Sequence, residues 1–177
     1  KCLNFNGSTA YASAYYNGGN TSSFTIGVWC YNTKTLANQR DFSAMFAGPD
    51  GSSSFYVLAG DNNYVRCGFR NAANQESKVD SASFSDGALN QWLFIGFCFD
   101  DPNNTLTVFT NGAQSAQTTG VTSTPKNDGR SQVFMGKLAK ANYFWAGLIG
   151  EAFLSKGVSD TNSIVCFYRD TKGRYIP

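Results

Sequence analysis

The chain has 177 residues, of which 42% are hydrophobic, 15% aromatic and 15% charged, and it carries a net charge of +2. That length suits one domain over residues 1–177 with its own core, and 15 phenylalanines exclude a disordered chain. The charge is too small for a nucleic-acid footprint, no apolar run nears the roughly 20 residues of a membrane span, and the lack of any histidine removes His-based triads and His metal sites.

Short alternating segments between Gly, Asn, Ser and Asp clusters dominate the chain. Residues 23–31 (SFTIGVWCY) put Phe24, Ile26, Val28 and Cys30 on one side and Thr25, Gly27, Trp29 and Tyr31 on the other, the period of a strand. Residues 54–59 (SFYVLA) and 64–70 (YVRCGFR) read as a hairpin. Residues 91–99 (QWLFIGFCF) are apolar at every phase, which predicts a central strand covered on both faces. Asp100-Asp101-Pro102-Asn103-Asn104 turns the chain into residues 105–110 (TLTVFT), and Asn111-Gly112 turns it again. The polar stretches 71–86 and 112–130 read as loops with room for edge strands. Residues 132–138 and 143–154 are the last strands, with Tyr143, Trp145, Gly147, Ile149 and Glu151 in one phase. Ser159-Asp160-Thr161 offers N-cap chemistry to one short C-terminal helix carrying Ile164, Val165, Phe167 and Tyr168. Many short strands with almost no helix predict an all-β antiparallel sandwich or jelly roll.

The five cysteines are odd in number and widely spaced, with no CxxC pair. They read as buried free thiols, with a bridge between Cys2 and Cys166 as the alternative. Two glutamates, Glu76 and Glu151, are all the chain has, a poor supply for the paired carboxylates of a glycosidase. An enzyme is not expected, and Glu151 reads as holding loop amides or an arginine.

The order of motifs resembles laminin-G-like domains of the concanavalin A-like lectin/glucanase superfamily. Leu3-Asn4-Phe5-Asn6-Gly7-Ser8 is similar to the family's opening Phe-Asp-Gly motif, and Phe24-Thr25-Ile26-Gly27-Val28-Trp29 to its first long strand. Gln91-Trp92, then Leu106-Thr107-Val108-Phe109-Thr110-Asn111-Gly112, then Phe144-Trp145-Ala146-Gly147-Leu148-Ile149-Gly150-Glu151-Ala152 follow in the family's order, as does the closing turn at residues 158–164. The resemblance implies a concanavalin A-like jelly roll and a lectin-like, adhesive role. It also implies Ca²⁺ near the first strand, held by the acids of Phe-Asp-Gly and Ile-Asp-Glu. Asn6 and Gly150 stand at those places, leaving the Asn6 carbonyl oxygen as the remaining ligand candidate. The alternative is that Asn6-Gly7 simply turns the chain.

Sugars are gripped by aromatic planes and by directed hydrogen bonds. Tyr64, Arg66 and Arg70 share the face opposite Val65, Cys67 and Phe69, and Tyr56 on the preceding strand has compatible parity. A Tyr/Arg patch suits a glycan, and its guanidiniums suit an acidic one. Tyr143 with Trp145 is a second candidate, and the loop 15–20 (YYNGGN) a third. The expectation is therefore a non-catalytic carbohydrate-binding domain recognising a glycan or glycoprotein surface, with an extracellular, cell-surface or virion-associated location. Its alternative is a structural or adhesion domain that binds another protein. Nucleic acid and membrane insertion are not expected, and the oligomeric state is open.

Overall fold

A computed structural model describes residues 1–15, 23–35, 38, 44–47, 55–60, 62–126, 132–137, 144–157 and 161–176. Among the described residues, twelve strands fall into two antiparallel six-stranded sheets. The first sheet has the order β1 (Leu3–Asn6), β12 (Ala146–Lys156), β3 (Phe24–Asn32), β8 (Trp92–Asp100), β9 (Thr105–Thr110), β10 (Ala113–Thr119). The second has β2 (Ala12–Tyr15), β11 (Gln132–Met135), β4 (Ala44–Ala47), β5 (Tyr56–Ala59), β6 (Val65–Arg70), β7 (Glu76–Asp80). The predicted sandwich is the observed one.

The alternation in β3 and β8 explains how the sheets close on each other. Phe24, Ile26, Val28 and Cys30 meet Leu93, Ile95, Phe97 and Phe99 in one cluster with Val57, Val65, Cys67 and Phe69 of the second sheet. Phe24 is the hub, its ring 5.4–6.4 Å from those of Phe55, Phe69, Phe97 and Phe99. Burying each such ring contributes about 1.5–3 kcal/mol.

β8 is apolar on its second face because that face is covered too. Trp29, Phe94, Cys98 and Phe109 form a separate cluster with Ile164 of the C-terminal helix α1 (Thr161–Thr171). The helix seats where two glycines face each other across β3 and β8, Gly27 and Gly96. The Phe153 ring lies where a Gly27 side chain would be, and a Cβ on Gly96 would sit 2.6 Å from Ile164. The indole N–H of Trp29 donates to Thr171 Oγ1 at 2.8 Å, tying the last residue of α1 to the sheet. The residues offered as the helix N-cap, 159 and 160, lie outside the described ones.

The two long polar stretches do contain strands, β7 and β10, and both are edge strands. They meet at one side of the sandwich and are joined by hydroxyls. Thr118 Oγ1 donates to Lys78 O at 3.1 Å, Ser115 Oγ accepts from Ala82 N at 3.0 Å, and the Ser77 and Ser123 hydroxyls lie 2.9 Å apart. Ser115 is the bulged residue of β10, which frees it for this contact. A second bulge, between Ile149 and Ala152 in β12, breaks the simple alternation read through Glu151. Among the described residues no cysteine is in a disulfide, so Cys2 and Cys166 make no bridge. Burial pushes the Cys30, Cys67 and Cys98 thiols up, as inert core groups require.

Candidate functional site

Asn6 ends β1 and its carbonyl oxygen is fully occupied. Oδ1 accepts the backbone N–H groups of Ser8, Thr9 and Ala10 at 2.9–3.0 Å, and Nδ2 donates to Thr9 Oγ1. An oxygen facing three N–H dipoles cannot also face a cation. The Ca²⁺ considered at Asn6 does not fit, and the reading of Asn6-Gly7 as a turn agrees with these bonds. No group of three Asp, Glu, Cys or His that could hold a metal occurs among the described residues.

The β5–β7 face brings the expected Tyr56, Tyr64, Arg66 and Arg70 together, but much of it is spent internally. Arg66 is opposite Asp80 in register and donates through Nε and Nη2 to both carboxylate oxygens at 2.7 and 2.8 Å. Its Nη2 also donates to the Tyr64 hydroxyl at 2.9 Å. The Asp80 bond holds the guanidinium more firmly charged than usual, and the side chain is 16% exposed. Tyr56 is 4% exposed. It lies across Gly68, where a Cβ would come within 2.6 Å of its hydroxyl, and donates to Glu76 Oε1 at 2.6 Å. Burial, then that bond, push the Tyr56 phenol well above its ordinary value. Tyr56 is therefore corrected from ligand contact to a buried anchor. Arg70 is the freer cation, 38% exposed, donating to Asn74 O at 3.1 Å and standing 3.8 Å from Glu76.

Trp145 is 0% exposed and packs in the main core, which corrects its placing at a ligand surface. Parity gave its phase; the second sheet on that side buries it. Tyr143 lies outside the described residues, as do residues 16–20 of the tyrosine loop. Glu151 pairs with Arg174, the arginine contact its isolation suggested.

A second cluster lies on the outer face of the first sheet; of its members the sequence motifs singled out Gln91, Trp92 and Asn111, for family resemblance and not as a site. Tyr31 and Trp92 end β3 and β8 as direct cross-strand neighbours, their rings 5.6 Å apart and edge-on at 62°. Tyr175, in the segment after α1, wedges beside them, 4.6 Å from Trp92 and stacked 4.7 Å over Trp29. Its hydroxyl accepts the Glu151 N–H at 2.9 Å, and burial leads the rise of its phenol above the usual range. Tyr31, Trp92 and Tyr175, with Asn90, Gln91, Asn111 and Ile176, line a solvent-open pocket of about 360 Å³. Tyr31 and Trp92 escaped notice as a site because their partnership depends on pairing strands about 60 residues apart; the Trp29/Tyr31 phase was the available signal.

Three other carboxylates are engaged. Glu76 takes Tyr56 with Arg70 and Lys78 nearby, Asp86 takes the Ala88 N–H and Gln91, and Asp100 takes Asn103.

Residues 6–164 match the family described as the concanavalin A-like lectin/glucanases superfamily. No curated protein matches the chain in sequence. Among solved structures, the receptor binding domain of botulinum neurotoxin D is similar with a TM-score of 0.73 at 9% identity, over 94% of this chain and 43% of that one. The binding domain of Paraclostridial Mosquitocidal Protein 1 gives 0.75 at 10%, over 96% and 43%. The Ruminococcus gnavus IT-sialidase CBM40, solved bound to α2,3 sialyllactose, gives 0.66 at 12%, over 95% of this chain and 98% of that one. The chain thus spans less than half of the two toxin chains and nearly all of the CBM40 chain. At these identities the likeness is one of fold.

Proposed function

The chain belongs to the concanavalin A-like lectin/glucanases superfamily, and from that premise we propose that it is a non-catalytic, carbohydrate-binding domain acting outside the cell, at a cell surface or on a virion. The observation that carries the reading is what the sandwich offers to solvent. Half-buried aromatic rings and carboxamides border an open pocket, while Glu76, Glu151, Asp80, Asp86 and Asp100 are each tied to a neighbour. Rings and amides hold hydroxyls; a glycosidase needs two carboxylates facing the bond it cuts.

The competing reading is an adhesion domain whose ligand is a protein. It draws on a botulinum neurotoxin DC binding domain, similar with a TM-score of 0.64 at 13% identity over 84% of this chain and 35% of that one, solved in complex with rat synaptotagmin II. A glycan array probed with the intact chain separates the two. Concentration-dependent binding to a defined set of oligosaccharides is expected. A blank array across neutral and acidic glycans overturns the reading. Turnover of any arrayed polysaccharide removes "non-catalytic". For an acidic ligand, the β5–β7 face with Tyr64, Arg66 and Arg70 is the surface to test first, with Arg70 the cation most able to turn outward.

A further inference from the structure

We propose that the pocket between Tyr31, Trp92 and Tyr175 is a saccharide subsite that takes a neutral pyranose rather than a charged one; the inference rests on the carbohydrate-binding reading and assigns it a place and a sugar class. Trp92 packs edge-on to Tyr31 and against Tyr175, and Tyr175 is itself fixed by Trp29 beneath it and by the Glu151 N–H. The platform is therefore rigid before a ligand arrives, so little ordering is left to oppose binding.

The polar rim is equally set. Asn111 sits in the left-handed region at φ 50, and its Oδ1 accepts the Phe94 N–H at 3.0 Å. That bond fixes the amide and leaves Nδ2 as the donor. Gln91 donates through Nε2 to Asp86 Oδ2 at 2.8 Å, which leaves Oε1 as the acceptor. One directed donor and one directed acceptor beside an aromatic platform match a hydroxyl-bearing ring, since each sugar hydroxyl both gives and takes a hydrogen bond. Asn90, also left-handed at φ 54, adds a third carboxamide to the lining.

Charge sets the class. Among the described residues the lining has no Arg, Lys, Asp or Glu, and the nearby Arg174 is paired with Glu151. A carboxylate brought against Trp92 would lose water with no cation to replace it, whereas a neutral hexose has no charge to desolvate and finds carboxamides for its hydroxyls. The volume, about 360 Å³, lies at the small end of ligand pockets, enough for a terminal sugar and not for a long chain.

The tryptophans supply a direct test. Trp29 and Trp145 are both 0% exposed, so a surface ligand meets Trp92 alone. Intrinsic fluorescence of the intact chain is titrated with neutral di- and trisaccharides and with their sialylated counterparts. The expected result is a saturable spectral shift with neutral sugars that disappears in Trp92→Phe, because the reporter is gone while the ring stays. Calorimetry should show Trp92→Phe binding within a few fold of the parent, and Trp92→Ala weaker by about tenfold or more. Gln91→Ala, on an exposed side chain, removes the acceptor without touching the core and should also weaken binding, which keeps the test sound if Trp92→Ala folds poorly. Glycan binding that persists unchanged in both Trp92→Ala and Gln91→Ala, or that is lost on Arg70→Ala instead, overturns this site while the carbohydrate reading stands. A preference for the sialylated sugars overturns the neutral class. No binding of any glycan removes the carbohydrate reading and this inference with it.

Discussion

The outer faces of the two sheets are built from strands of similar pattern, yet one is roofed by hydrocarbon and the other carries an ion-pair ladder. On the first sheet, Trp29, Phe94 and Phe109 are dry under α1, and the glycine pair Gly27 and Gly96 hollows the seat. On the second, Gly68 makes a similar hollow, but what fills it is the Ser77 carbonyl and the Tyr56 hydroxyl that bonds Glu76, beside Arg66 locked to Asp80. The same device, a missing side chain in mid-strand, serves helix docking in one place and a polar crosslink in the other. The lesson is energetic: hydrophobic burial should dominate the first face, and exposed or half-exposed pairs should contribute little to the second.

Trp29→Ala should be the harshest test of that contrast. It deletes a fully buried ring stacked on Tyr168 and Tyr175 and removes the indole donor to Thr171, so a loss of about 3–5 kcal/mol is expected in urea unfolding. A loss no larger than that of a surface mutant would mean that the helix is not a structural roof. Alkali should act next, and from within. The thiols of Cys30, Cys67 and Cys98 and the Tyr56 phenol are all raised in the folded chain, so the unfolded chain gives up these protons first. Stability is then full below the ordinary thiol value of 9.0 and falls as pH climbs past it. The urea midpoint should drop between pH 8 and pH 10.5, and an unchanged midpoint would place these groups in water.

Gly96→Ala should cost about 1–3 kcal/mol by pushing against Ile164, seen as a lower melting temperature. Asn6→Ala removes the acceptor of three backbone N–H groups and should cost about 1–2 kcal/mol, while a chelator leaves the melting curve of the parent chain unmoved. Arg66→Ala is the mildest at about 1 kcal/mol, because Asp80 is 36% exposed and regains water. A penalty as large as that of Trp29→Ala would reverse the ranking of the two faces.

The long strands were legible because their alternation is strong. β3, β8 and β9 came out within a residue or two of their ends, and the double-sided apolarity of β8 correctly foretold a second layer. β2 and β4 were not legible: four residues of ASAY or AMFA carry too little pattern to stand out. The site was harder still. Parity places Tyr56 and Trp145 on a face but says nothing of what covers that face, and both are buried. Arg66 was correctly placed beside Tyr64, but Asp80, its partner, lies in a stretch that reads as loop. The Tyr31–Trp92–Tyr175 cluster gathers residues from three distant parts of the chain, so it exists only once β3 and β8 have paired and the tail has folded back.

The hydroxyl seam between β7 and β10 has one more consequence. The outermost strand of a sheet normally offers bare amides and carbonyls to any passing chain. Here the Lys78 carbonyl and the Ala82 amide are taken by Thr118 and Ser115. Strand addition by a second chain along that margin is thereby hindered.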